Sequence, residues 1–232
     1  MHIEQDYTIE AEAIGSSGRW DKLFNAVVKI YNDPQEFSLW RANVLLGLTT
    51  AILKEYKKLK KAYACQDGYL QDVAFHARNI LELNIWIAYV ALSEENARAF
   101  YVESGVDGMD LVKVSEKWGI KNNQTEEWLE IFPDAKARLI ANVGLEGDEN
   151  LDGRYSEMME IAKRTGLSEI YPISNKILSK HAHSTAWVVM MHKNQQMILD
   201  LKDTFFNKGC WLMLGAVQAL EKHVNKILSE RG

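Results

Sequence analysis

The sequence predicts an all-α protein: a single-domain bundle of roughly seven to nine helices. Three observations carry that expectation. Apolar residues recur at three-to-four spacing along most of the 232 residues, which is the period of a helix. Prolines, which break helices from within, number only three, at positions 34, 133 and 172. Strand-like alternation of apolar and polar residues is nearly absent.

Taken in order, residues 1–18 form an N-terminal arm that ends in the flexible Gly15-Ser16-Ser17-Gly18. Residues 19–232 form the bundle domain, with no internal repeat, low-complexity run or shift of composition to divide them. Trp20 to Val28 reads as a short amphipathic helix stopped by Asn32-Asp33-Pro34. A long helix is expected from about Phe37 to Ala64, apolar at first and strongly basic later. The next, Tyr69 to Leu92, is apolar on most faces and so belongs inside the bundle. Ser93 heads a further helix, with Asn96 where a capping box would carry Glu or Gln. Gly105 to Gly108 reads as a break, followed by helices at Leu111 to Trp118, Thr125 to Val143 and Tyr155 to Thr165. Gly166 to Pro172 reads as a loop, and helices at Ile173 to Lys193 and Phe205 to Leu228 close the chain.

With 47% hydrophobic and 25% charged residues the chain can bury a sizeable core. A net charge of -5 and a pI of about 5.7 exclude a general phosphate-neutralising surface. Two distant cysteines, Cys65 and Cys210, make neither a disulfide framework nor a metal knuckle. The acidic first residues and the lack of any apolar run near 18 residues give no signal peptide and no membrane span, so the cytoplasm of a microbe is the expected location. No glycine-rich cofactor motif is present, and no cofactor is expected.

Four polar residues stand out against this apolar background. Arg78 and Glu82, four apart, are bracketed by Phe75, Ile85 and Tyr89 on one helix face, which predicts a buried or partly buried pair. Arg before Glu is the weaker order for helix support, so their partners should come from other elements. Ser179 and His183 lie one turn apart in the late helix, whereas His181 and His183 point about 200° apart and cannot share a metal from a regular helix. Glu82 is the acceptor expected for an imidazole at 183. A serine nucleophile at 179 lacks a readable oxyanion hole.

An apolar helix with R-x-x-x-E (Arg78, Glu82), followed by a tyrosine-led S-x-x-x-H helix (Ser179, His183), resembles a bacterial family of all-helical proteins of unknown function over about residues 69 to 193. The resemblance implies a bundle in which the four side chains converge. That family is in turn similar to the HEPN (higher eukaryotes and prokaryotes nucleotide-binding) helical domains, several of which are RNases of defence and toxin systems. Their R-x(4 to 6)-H motif does not occur here; Lys176 to His181 has its spacing but lacks the planar fork that grips a phosphate.

Two weaker patterns remain. Asp148, Asn150 and Asp152 match the start of a calcium loop, but its twelfth position holds Met159 where a bidentate Glu belongs, so an acidic interhelical turn is the better expectation. Lys54, Lys57, Lys58, Lys60 and Lys61 form a basic helix end, either a solvated face or a contact for nucleic acid. The seven tryptophans and Met190-Met191 are expected in the core, and Trp211 to Leu214 either there or in a homodimer seam. The expected function is a non-catalytic interaction or ligand-sensing domain around a buried Arg/Glu/Ser/His network. The competing expectation is an RNase or other phosphodiester-processing enzyme, with Arg78 on the phosphate and His183 moving a proton. A network sealed beneath Tyr89 and Trp187 would favour the first, and a cleft open toward the lysines the second.

Overall fold

The computed structural model describes residues 6–32, 39–65, 69–119, 157–183, 190 and 194–230. Eight helices and no strand occur among them: α1 (Thr8–Ser16), α2 (Arg19–Tyr31), α3 (Leu39–Ala64), α4 (Leu70–Leu92), α5 (Glu94–Lys117), α6 (Met158–Arg164), α7 (Ile170–Ala182) and α8 (Gln195–Ser229). The all-α expectation holds. None of these helices is long and apolar enough to cross a membrane.

Helix α4 is central because it has too much apolar surface for one partner. Val73, Ala74, Ala77, Ile80, Leu81, Ile85, Ile87 and Val90 are all buried, and together they occupy several faces. It packs on α8, α7, α3, α5 and α6. Small residues permit the tightest of these contacts. A β-carbon on Gly209 of α8 would stand 3.5 Å from the Ala77 Cβ, and one on Gly215 would stand 3.4 Å from the Asn84 amide nitrogen. Ala77 therefore lies opposite Gly209 and Asn84 opposite Gly215, which makes α4 and α8 parallel neighbours. Helix α3 joins them through Leu59, wedged at Gly209, and through Tyr63, stacked on Phe206 with ring centroids 3.9 Å apart.

The helix ends follow local chemistry. Ser93 Oγ accepts the Asn96 N–H at 3.1 Å, capping α5 as its sequence signalled. Leu167 N–H donates to the Ala162 carbonyl at 2.8 Å and Gly166 N–H to that of Lys163 at 3.3 Å, with Gly166 at φ 74, so α6 ends in a Schellman motif.

Several boundaries differ from the sequence reading. Helix α5 runs through Gly105 and Gly108 without a break, since a glycine in a helix interior costs about 1 kcal/mol but stops a helix only when it turns left-handed. The glycine that does so is Gly119, φ 70, just beyond the helix. Helix α7 starts at Ile170, ahead of Pro172, because the first-turn N–H groups of a helix have no partner for a proline to remove. It ends at Ala182, with His183 extended at φ -109 and ψ 150. Helix α8 begins ten residues before Phe205, at Gln195, where Asn194 Oδ1 accepts the Met197 N–H at 3.1 Å. The N-terminal arm is itself helical, and its Ala11 and Ile14 are buried in the common core. The expected helix at Thr125 to Val143 lies outside the described residues.

Candidate functional site

Arg78 and Glu82 project from the middle of α4, and their side chains pair at 3.0 Å. They are 28% and 31% exposed, so the pair is half-buried and open to solvent on one side, not sealed within the bundle. The Arg78 Nε is an exception to that openness: it is shielded from solvent and has no hydrogen-bond partner among the described residues. A guanidinium carries five N–H donors in one plane, so bonding Glu82 leaves several of them unused.

Tyr171, at the start of α7, is the neighbour that the sequence reading missed. Its phenol is pushed above the ordinary tyrosine range by burial first and then by the Glu82 carboxylate, with Arg78 acting the other way. The only sequence signal was the tyrosine at the head of the second motif, where the loop assigned to residues 166–172 hid its place in a helix.

Ser179 and His183 do not join this group among the described contacts. Ser179 Oγ bonds the Asn175 side chain at 3.0 Å, one turn back on its own helix. His183 is exposed at the end of α7, where its backbone N–H donates to the Ser179 carbonyl at 3.3 Å. Ser179 lies eight residues beyond Tyr171 on the same helix, about 12 Å at a rise of about 1.5 Å per residue. At that far end His181 packs edge-on against Phe205, one turn before Gly209, so α7 runs antiparallel to α4 and α8. The buried histidine of the motif is thus His181, whose Nδ1 lies 2.7 Å from the Ile177 carbonyl.

A second polar cluster was not foreseen. Glu55 of α3 accepts His76 at 2.8 Å and Asn79 at 3.2 Å from α4, and Lys58 from its own helix at 2.6 Å. Burial raises the Glu55 pKa, but these three hydrogen bonds outweigh it, and the carboxyl sits below its usual range. The carboxylate was hidden in the lysine run. Lys54, Lys57, Lys58, Lys60 and Lys61 are all exposed, Lys58 in its pair with Glu55 and Lys60 with its ammonium 5.8 Å from the Tyr56 ring centre.

Asp148, Asn150 and Asp152, with Trp128, Trp187 and Met191, lie outside the described residues. No group of three metal-binding side chains occurs among the described ones. Trp118 at 77% and Met190 at 70% exposure depart from the expected core, whereas Trp20 and Trp40 are in it. Leu212, Met213 and Leu214 are buried within the chain itself, which removes most of a dimer seam there; Trp211 is half-buried.

The fold and site therefore define an all-helical domain with a half-buried Arg/Glu pair at its central helix. Residues 43–197 match the model of the family described as "Family of unknown function (DUF5677)", and the chain belongs to that family. No curated protein and no solved structure matches the chain.

Proposed function

We propose that the protein is a non-catalytic, ligand-sensing helical domain in which Arg78 takes a small oxyanion, a phosphate or a carboxylate, with Glu82 and Tyr171 beside it. One observation carries this reading. The Arg78 Nε–H is withdrawn from water with no acceptor among the described residues, although the same guanidinium is paired with Glu82 and both side chains are partly exposed. Leaving a buried donor of a charged group unpaired is destabilising by about 1–3 kcal/mol or more, so an incoming acceptor is favoured there. Oxyanions suit the guanidinium because two parallel N–H donors meet two oxygens. Glu82 orients the fork and, being negative, limits its affinity.

The competing phosphodiester-processing reading needs His183 within reach of a phosphate on Arg78. Twelve residues separate Tyr171 from His183, about 18 Å at the helical rise, which supports the non-catalytic reading over it.

The test is thermal melting in rising inorganic phosphate at constant ionic strength, for wild type, Arg78→Ala and Glu82→Gln. A bound ligand raises the melting temperature with concentration by mass action. The expected result is a rise in wild type, a larger one in Glu82→Gln and none in Arg78→Ala. A wild type indifferent to phosphate, or an equal rise in Arg78→Ala, would overturn the proposal.

A further inference from the structure

We propose that the chain carries a second small-molecule site, separate from Arg78 and centred on Asn84, which takes a small planar heterocycle or amide presenting a hydrogen-bond donor and an acceptor side by side. Asn84 is only 7% exposed, and its amide makes no hydrogen bond with any described residue. The amide is not sealed from solvent, so in the free protein water is its partner, and a ligand that displaces that water must offer both a donor and an acceptor. Asn84 lines a cavity of about 370 Å³ formed with Tyr7, Thr165, Trp211, Gly215 and Gln218, a space suited to a single ring system.

The chemistry of the lining narrows the ligand. An asparagine side chain offers an acceptor oxygen and a donor nitrogen in one plane, so its complement carries both as well. A carboxylate supplies only acceptors and is also repelled by Glu10, which lines the same cavity, while an ammonium supplies only donors; a neutral amide, lactam or amino-heterocycle edge offers both. Thr165 does not compete for it, since its hydroxyl is engaged with the Ile161 and Ala162 carbonyls at 3.1 Å. Gly215 keeps the approach clear, because a β-carbon there would stand 3.4 Å from the Asn84 nitrogen. Trp211 and Tyr7 supply aromatic walls. The Lys208 ammonium lies 4.1 Å from the Trp211 ring centre and lines the adjoining cavity, not this one, so the Asn84 side of the indole keeps its own surface for a ligand.

The experiment titrates uracil, adenine and nicotinamide, up to about 10 mM, into the full chain. It follows tryptophan fluorescence and the NMR signals of the asparagine side-chain amides. The expected result is that at least one probe saturates and shifts the Asn84 amide. Asn84→Leu is expected to weaken that probe at least about tenfold. Gly215→Ala, which retains Asn84 but sets a methyl group against its amide inside the cavity, is expected to weaken it too, and carries the test if the leucine variant does not fold. Failure of all three probes to saturate the wild type would overturn the proposal, as would binding unchanged in Gly215→Ala and in any folded Asn84→Leu.

Discussion

Replacing Gly209 with alanine tests the packing at the centre of the fold. A β-carbon there would stand 2.5 Å from the Leu59 Cδ2, closer than two carbons can approach. Leu59 is fully buried and has little room to swing aside. Overpacking of this kind costs about 1–3 kcal/mol, while alanine in place of glycine inside a helix returns about 1 kcal/mol. The net expectation is a loss of roughly 1 kcal/mol, visible in urea unfolding followed by circular dichroism. Leu59→Ala alone should cost about 2–5 kcal/mol by opening a cavity. In that background the clash is gone and the new methyl fills part of the space, so Gly209→Ala should become stabilising by about 1 kcal/mol. The cycle thus predicts a change of sign and a coupling of roughly 2 kcal/mol. Equal effects of Gly209→Ala in the two backgrounds, within about 0.5 kcal/mol, would refute the contact between α3 and α8.

Three further predictions follow from groups outside the candidate sites. Burial above all, with Arg41 and Lys226 nearby, pushes His223 down to about 4, against a weaker pull from Glu230. Its folded pKa lies below its unfolded one, so its contribution is present above about pH 6.5 and is lost as pH falls toward 4. With allowance for solvent screening that is roughly 2 kcal/mol, and His223→Gln should flatten the pH dependence of urea stability between pH 6.5 and 4.5. The Lys202 ammonium, buried in α8, donates to the Cys65 carbonyl at 2.9 Å, just past the end of α3, so Lys202→Met should cost about 1–2 kcal/mol in the same assay. Glu55→Ala strands His76 and Asn79 and should cost about 2 kcal/mol at pH 7. Because the Glu55 pKa is lowered on folding, that difference should shrink as pH falls below about 4.5 and the wild-type carboxyl protonates.

The helices were legible where burial imposes a period. Val73, Ala77, Leu81 and Ile85 on α4, and Leu23, Val27 and Ile30 on α2, announce themselves because the core takes every third or fourth side chain. Polar helix surface was harder to read. Asp200, Asp203 and Thr204 fell between the last two expected helices, yet they form the exposed side of α8, whose start is set by one Asn194 hydrogen bond. The Arg78 and Glu82 pair could be read from spacing alone because both residues lie on one helix. Which groups of α7 face them depends on where that helix begins and ends, and its start three residues earlier than expected, ahead of Pro172, decides it. Tyr171 lies beside the pair for that reason, while His183, beyond the last helical residue, does not. Asn84 gave no sequence signal, since a single polar residue among apolar ones is equally consistent with a satisfied core amide.

The central claim is that the Arg78 site binds without catalysing. The most direct measurement is RNA cleavage by purified wild type, Arg78→Ala and His183→Ala, with a thermal melt of each. The account predicts no cleavage above a buffer control by any of the three, and a His183→Ala melt indistinguishable from wild type, since that side chain is exposed and outside the helix. Cleavage by the wild type that disappears in Arg78→Ala and His183→Ala while both stay folded would contradict it and make the same residues an active site.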